Sequence, residues 1–339
     1  MAIIKEVKLI KDGAMVTPKV ILDSVRLLDG TKLIDRLRTS LERLPPTELT
    51  SINELTGSYN YSLSYGNGVY VIGSVGKILS SNDLENWTVT ENVLTSGGSN
   101  QQVLGIAYGS NRFVAVGGNG TMAHSTDGVN WTPISQSVIT GSLCSIAYGA
   151  DKFVVGNTSG KMAYSTDGVN WTAISTSVTC ANHIAYGNGV FIVATNSYDI
   201  YRSTDGVSWT KISISSLALS GLSNIAYGNG RWVGVAHISS QLTTTQVVAY
   251  STDNGDTWTC DTDSTPFSTT PKKLCYGNGN FLVVCANGYA YYSPNGENWI
   301  RCKVVDNVSP TQATIYDCIY ANGRFLACNK ELLCSRVNL

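Results

Sequence analysis

Apolar residues along this chain fall in short runs, and glycine, asparagine and aspartate fall between the runs. Residues 103–135 show the pattern. Val103–Ala107 is an apolar run, Gly109–Asn111 a turn, and Phe113–Val116 a second run. Gly117–Gly120 is another turn, Thr121–Ser125 a third run, Asp127–Gly128 a tight turn, and Trp131–Ile134 opens a fourth run. Short β-rich runs separated by residues that tolerate left-handed backbone angles predict antiparallel strands joined by hairpins. No helical heptad pattern crosses this region.

The unit recurs. An apolar strand ending in Tyr-Gly-Asn-Gly or a variant places turn tyrosines at Tyr65, Tyr108, Tyr148, Tyr186, Tyr227, Tyr276 and Tyr320, spaced by 43, 40, 38, 41, 49 and 44 residues. A unit of about 40 residues cannot bury its own apolar face and needs neighbours on both sides. The prediction is an all-β fold: a seven-bladed β-propeller of four-stranded antiparallel blades over residues 47–339. Six blades is the alternative, if one unit is a loop decoration. The last unit stops at Leu339 without a fourth strand. Residues 47–53 are predicted to supply that strand and close the ring, removing its free edges.

One turn carries a sharper motif. Ser-Thr-Asp-Gly-Val-Asn-Trp occurs at 125–131 and 165–171, with variants at 203–209 and 251–258 and degenerate copies at 81–87 and 293–299. The pairs are Asp83 and Trp87, Asp127 and Trp131, Asp167 and Trp171, Asp205 and Trp209, Asp253 and Trp258, and Asn295 and Trp299. An aspartate here accepts amide protons of its own turn, glycine takes a positive φ, and the tryptophan folds back over the turn. A site repeated round a ring reads as a structural staple. These segments resemble Asp-box (BNR) repeats, and the resemblance implies a propeller with the boxes at the blade periphery.

Residues 1–46 are different material: the first 44 residues hold 15 charged residues, against 32 in the remaining 295. Val7–Gly13 reads as a strand and turn, and Val20–Leu28 as extended structure or another hairpin arm. Thr31–Leu44 reads as a helix stopped by Pro45-Pro46, with Ile34, Leu37, Leu41 and Leu44 as an a/d stripe. Two heptads need a partner: the propeller rim or copies of the same helix. The segments 12–20 and 25–33 resemble the N-terminal attachment region of phage tail fibres and receptor-binding proteins. That resemblance implies a virion-attachment and oligomerisation segment, other virion or tail proteins as partners of residues 1–44, a trimer, and a C-terminal head that recognises a host cell-surface glycan or protein.

Composition excludes several classes. A formal net charge of -1 leaves no footprint for nucleic acid. No apolar run is long enough to span a bilayer. Charged residues interrupt the N-terminal apolar positions, so no secretory signal is expected and the chain is expected to be made in a cytoplasm; the fibre resemblance implies that this is a host cytoplasm and that the chain acts in a virion. Nine cysteines, an odd count without a C-x-x-C pair, read as reduced thiols at small apolar positions.

No enzymatic constellation is evident. Arg112, Arg231 and Arg324 recur at one repeat position, so they do not form the convergent arginine triad that sialidase-like enzymes require, and no closely placed carboxyl pair suits a glycosidase. His124, His183 and His237 lack ligand spacing, so no metal and no cofactor are predicted. What remains is recognition through loops. The irregular insertions 239–245, 261–270 and 307–313, with Gln241 in the first, are the candidate contact segments, and Tyr198, Tyr201, Tyr289 and Tyr292 the candidate aromatic platforms for a sugar face. The competing readings are a structural virion decoration protein and a hydrolase of sialidase-like fold.

Overall fold

The computed structural model describes residues 10–11, 14–15, 48–54, 61–135, 138–217, 219–239, 244–261, 266–305, 314–329 and 331–335. The chain divides into two compact units, Met1–Leu44 with Arg336–Leu339, and Pro45–Ser335. In the first, the described residues form a ribbon in which Ile10–Lys11 pairs antiparallel with Ala14–Met15. The helix expected over 31–44, with Ile34, Leu37, Leu41 and Leu44, lies outside the described residues, as does Gln241. Among the described residues no helix is long and apolar enough to cross a membrane.

The second unit is an all-β propeller. Six sheets are four-stranded, antiparallel and sequential from the inside out. Their innermost strands are Ser62–Gly66, Val103–Gly109, Leu143–Gly149, His183–Gly187, Leu222–Gly228 and Pro271–Gly277. Each touches the innermost strand of the next sheet, and Asp317–Ala321 of the closing sheet touches both Pro271–Gly277 and Ser62–Gly66.

The four-stranded blades therefore number six, not the expected seven. The closing sheet has five strands, ordered from the outside Lys303–Val305, Glu48–Glu54, Glu331–Ser335, Arg324–Cys328, Asp317–Ala321. Glu48–Glu54 runs antiparallel to Glu331–Ser335, with Leu49 opposite Ser335 and Thr50 opposite Cys334. Lys303–Val305 adds in parallel on its outer side. The extra strand comes from the connection leaving the sixth blade, which pairs with the strand entering from the N-terminal side, and local hydrophobic pattern gives no sign of such a pairing.

Burial explains the strand sequences. A second strand is covered on both faces by neighbouring blades, so Val190–Ala194 and Asn280–Cys285 are buried at every position and read as continuous runs. Outer strands such as Thr88–Glu91 are almost wholly exposed and polar. The core is divided among the junctions. Between the second and third blades, for example, Val114, Val116 and Leu143 pack with Phe153, Val155 and Trp171. The junction between the closing sheet and the first blade is filled by Leu326, Cys328 and Leu332 against Leu63, Ile72 and Leu84.

Candidate functional site

The strand order gives the ring two unlike ends. Each innermost strand runs toward its tyrosine turn, so the first and third turns of a blade share one end. The second turn and the connection to the next blade share the other.

The tyrosine-turn end is uniform and cross-tied. Both central residues of its two-residue hairpins have positive φ, as in Asn67-Gly68, Asn188-Gly189 and Asn229-Gly230. Tyr108, Tyr148, Tyr186, Tyr227, Tyr276 and Tyr320 each lie against the glycine that precedes the turn of the blade before: a Cβ on Gly66 would fall 2.1 Å from Tyr108 Cγ. Tyr276 donates its hydroxyl to Asn229 Oδ1 at 2.7 Å, and Asn229 Nδ2 donates to the Pro294 carbonyl at 2.7 Å.

The Ser-Thr-Asp turns lie at this end too. Ser125 Oγ donates to Asp127 Oδ1 at 2.9 Å, and that same oxygen accepts the amides of Val129 and Asn130 at 2.9 and 2.7 Å. The Trp131 indole donates back to the Gly128 carbonyl at 3.0 Å. The turns at Asp83 with Trp87, Asp253 with Trp258, and Asn295 with Trp299 close the same way. Those at Asp167 with Trp171 and Asp205 with Trp209 keep the aspartate bonds, but their buried indole nitrogens have no partner. Burial pushes the Asp127 carboxyl up, and the donors of Asn130, Val129 and Ser125 outweigh it and bring it down to about 2. These are structural groups tying their own turns.

The opposite end is irregular. There the insertion at 239–245 lengthens a hairpin whose strands Arg231–Ser239 and Thr244–Ser251 stay paired out to Ser239 opposite Thr244. A second ribbon, Thr95–Ser96 with Ser99–Asn100, sits in the connection from the first blade to the second.

The candidate aromatic platforms separate on inspection. Tyr198, in the second turn of the fourth blade, is 58% exposed. Tyr201 is 1% exposed and donates its hydroxyl to the Ser177 carbonyl at 2.9 Å, and Tyr292 is 8% exposed in the core. Both lie on third strands between blades, where ring faces are covered, so neither is a platform. Tyr289 has the Arg301 guanidinium 3.9 Å over its ring, which occupies that face. Of the insertions, 307–313 lies outside the described residues, and Phe267 in the second is buried against Tyr291 and Trp299.

The centre of the ring holds an arrangement that the strand pattern does not reveal. With two-residue turns the closing pair exchanges both backbone bonds and the pairing alternates, so the residue two before each turn tyrosine directs its N–H toward the axis. The residue three before the tyrosine in the preceding blade supplies the acceptor. Ser145 Oγ accepts from Ile184 N at 2.8 Å, His183 Nδ1 from Ile225 N at 3.3 Å, and Asn224 Oδ1 from Leu274 N at 3.3 Å. Asp317 Oδ2 accepts from Leu63 N at 2.7 Å, and its Oδ1 from Cys318 N at 2.8 Å. Burial, with Lys273 adding to it, keeps the His183 ring neutral, well below the ordinary histidine range, so it serves as an acceptor. Burial likewise pushes the Asp317 carboxyl up, against the pull of Lys273, whose Nζ is 3.7 Å away.

At the sixth blade Lys273 is no acceptor, and the neighbouring Asp317 takes the Cys318 N–H instead; two adjacent links are left unmade. The equivalent residue of the second blade is Gly105, with no side chain to offer Ile146, and Ser62 turns its hydroxyl to the Val103 carbonyl at 3.3 Å instead of to Ile106. Beside this break lies a cavity of ≈ 350 Å³, lined by Gly105, Ile106, Ser145, Ile146, Lys273 and Asp317 among others. The signal that could have found it is the register of Ser62, Gly105, Ser145, His183, Asn224, Lys273 and Asp317, each three residues before a turn tyrosine.

No family model matches the chain, and no curated protein matches it in sequence. Solved propellers do match in shape. YCF48 bound to D1 peptide aligns with a TM-score of 0.65 at 15% identity over 86% of this chain and 97% of that one. Virginiamycin B lyase from Staphylococcus aureus aligns with a TM-score of 0.69 at 14% identity, covering 84% and 97%. An ancestral GH74 enzyme aligns with a TM-score of 0.63 at 15% identity over 84% of this chain but 46% of that one. Proteins of such varied kinds share the propeller fold with this chain.

Proposed function

We propose that the chain is a non-enzymatic recognition protein, and that the irregular end of the ring meets the ligand. The observation that carries this is the contrast between the ends. One is a repeated set of cross-tied turns; the other bears the lengthened hairpin Arg231–Ser239/Thr244–Ser251 and the open ring of Tyr198. A rigid ring with variable loops at one end suits binding. The likeness to YCF48, seen with a D1 peptide, supports a binding reading at the level of fold. The non-enzymatic reading draws support from Asp317, the carboxylate at the channel cavity, whose two oxygens are taken by backbone amides.

In its finer form the proposal is a fibre or receptor-binding protein of a phage or phage-tail-like particle, recognising a host surface glycan or protein. Its support is the resemblance of segments 12–20 and 25–33 to fibre attachment regions, which implies a trimer, together with the stripe Ile34, Leu37, Leu41 and Leu44, which suits self-association without fixing its number. The test is binding of the labelled full chain to intact cells of candidate hosts. Saturable binding that falls about tenfold or more in Tyr198→Ala supports the reading, because exposed aromatic anchors carry much of such interfaces. Binding to purified particles but to no cell type would instead favour a decoration protein.

A further inference from the structure

We propose that the channel cavity beside Gly105 is a binding site for a small hydroxycarboxylate of about monosaccharide size, separate from the loop surface described above. Its recognition elements are the N–H groups of Ile106 and Ile146, the Lys273 ammonium and the hydroxyl of Ser145.

Leu63, Ile184, Ile225, Leu274 and Cys318 donate their axis-facing N–H groups to side chains. Ile106 and Ile146, on adjacent strands, meet no side-chain acceptor, and both line the cavity. Backbone donors away from bulk water demand acceptors. Lys273 also lines the cavity; it pairs with Asp317 at 3.7 Å, and an ammonium has three protons, so that one contact leaves others to offer a ligand. Asp317 has its own oxygens committed to Leu63 and Cys318, so it is not the missing acceptor.

Two adjacent amides and an ammonium match an acceptor-only group, which is what a carboxylate is. A metal cation would face three donors. A doubly charged anion would lie close to the Asp317 carboxylate, which favours a single negative charge. A cavity of ≈ 350 Å³ exceeds what a bare carboxylate fills, and Ser64 and Ser145 among its lining residues suit ligand hydroxyls.

The experiment is a titration of the isotope-labelled full chain with glucuronate, with glucose and acetate as separate arms, following the Ile106 and Ile146 amide resonances. Glucuronate is expected to shift both saturably at millimolar concentrations; acetate binds more weakly, and glucose leaves them in place. Gly105→Ser copies the residue found at Ser62 and Ser145. Its Cβ would lie 3.1 Å from Ile146 Cγ2 and 3.3 Å from Val116 Cγ2, branch methyls that must each give by a few tenths of an ångström. That variant places an acceptor beside Ile146 and is expected to weaken glucuronate binding roughly tenfold or more while the rest of the spectrum persists. Lys273→Met is expected to weaken it comparably. No saturable shift with glucuronate, equal response to glucose or acetate, or unchanged affinity in folded Gly105→Ser would overturn the assignment.

Discussion

Tyr148 lies flat against Gly109: a Cβ at Gly109 would come within 2.1 Å of the Tyr148 Cγ. The same contact joins Gly149 to Tyr186 and Gly277 to Tyr320, so the ring is spaced by tyrosines seated on bare backbone. Gly109→Ala should therefore force two blades apart. The expected loss is ~3 kcal/mol, at the upper end of overpacking costs, read as a lowered urea midpoint with an unchanged slope. At the closing junction the equivalent residue is Ala321, packed in the cluster that includes Tyr65, so alanine is accommodated there.

The third blade carries a turn of the wrong residue types. Ala150 and Asp151 have φ of 43° and 55°, where most other blades use asparagine and glycine. Left-handed backbone disfavours most side chains by roughly 1–2 kcal/mol per residue, and aspartate, like asparagine, tolerates it better, so the misfit is Ala150. Ala150→Asn, which copies the residue most other blades carry there, should stabilise the propeller by about 1 kcal/mol. Thermal unfolding in parallel with Gly189→Ala, which should move the other way, checks the assignment.

The aspartate turns set an acid limit. Burial raises the carboxyls of Asp127, Asp205 and Asp253, but turn donors outweigh it and hold each at about 2. Carboxylates of the unfolded chain titrate near 3.9. A folded value below the unfolded one gives stability that is present above about pH 4 and is lost as pH falls toward 2. Denaturation midpoints between pH 7 and 2 should show this loss. Asp127→Asn should keep the fold and lessen it, since Asn295 already holds its turn with Oδ1 accepting from Ser293, Glu297 and Asn298.

Two tryptophans in one motif should respond differently. Trp131 donates to the Gly128 carbonyl at 3.0 Å, whereas the Trp171 indole nitrogen is buried without a partner. Trp→Phe removes the same atoms at both, and the more buried Trp171 should lose the more packing, so an excess loss at the partly buried Trp131 reports the hydrogen bond. Trp131→Phe should cost about 1 kcal/mol more than Trp171→Phe. Equal losses by chemical denaturation would show that packing alone fixes these turns.

Much of the fold was legible in the sequence because its strongest signals are local and repeated. The Tyr-Gly-Asn-Gly turns and Ser-Thr-Asp-Gly turns announce their geometry through residues whose backbone preferences leave little choice. The blade count failed where geometry is not local: Lys303–Val305 joins Glu48–Glu54 in parallel, between segments far apart in the chain. Among the aromatic platforms, Tyr201 and Tyr292 lie covered in third strands while Tyr198 stays open in a turn, a difference that residue type alone does not disclose. The channel belt escaped notice because serine, histidine, asparagine and aspartate perform one task there, and only their shared register discloses it.

The pairing of Glu48–Glu54 with Glu331–Ser335 also orders events in time. During synthesis the first strand of this pair must wait, with an uncovered edge, while every blade between is made. Bringing such distant segments together costs roughly 5 kcal/mol of chain entropy on the logarithmic law for loops, and contacts of this separation slow folding. The blades can form one after another as they emerge, but the bracelet fastens last. A nascent chain ending before residue 331 would hold most of its blades and still behave as an open, adhesive arc.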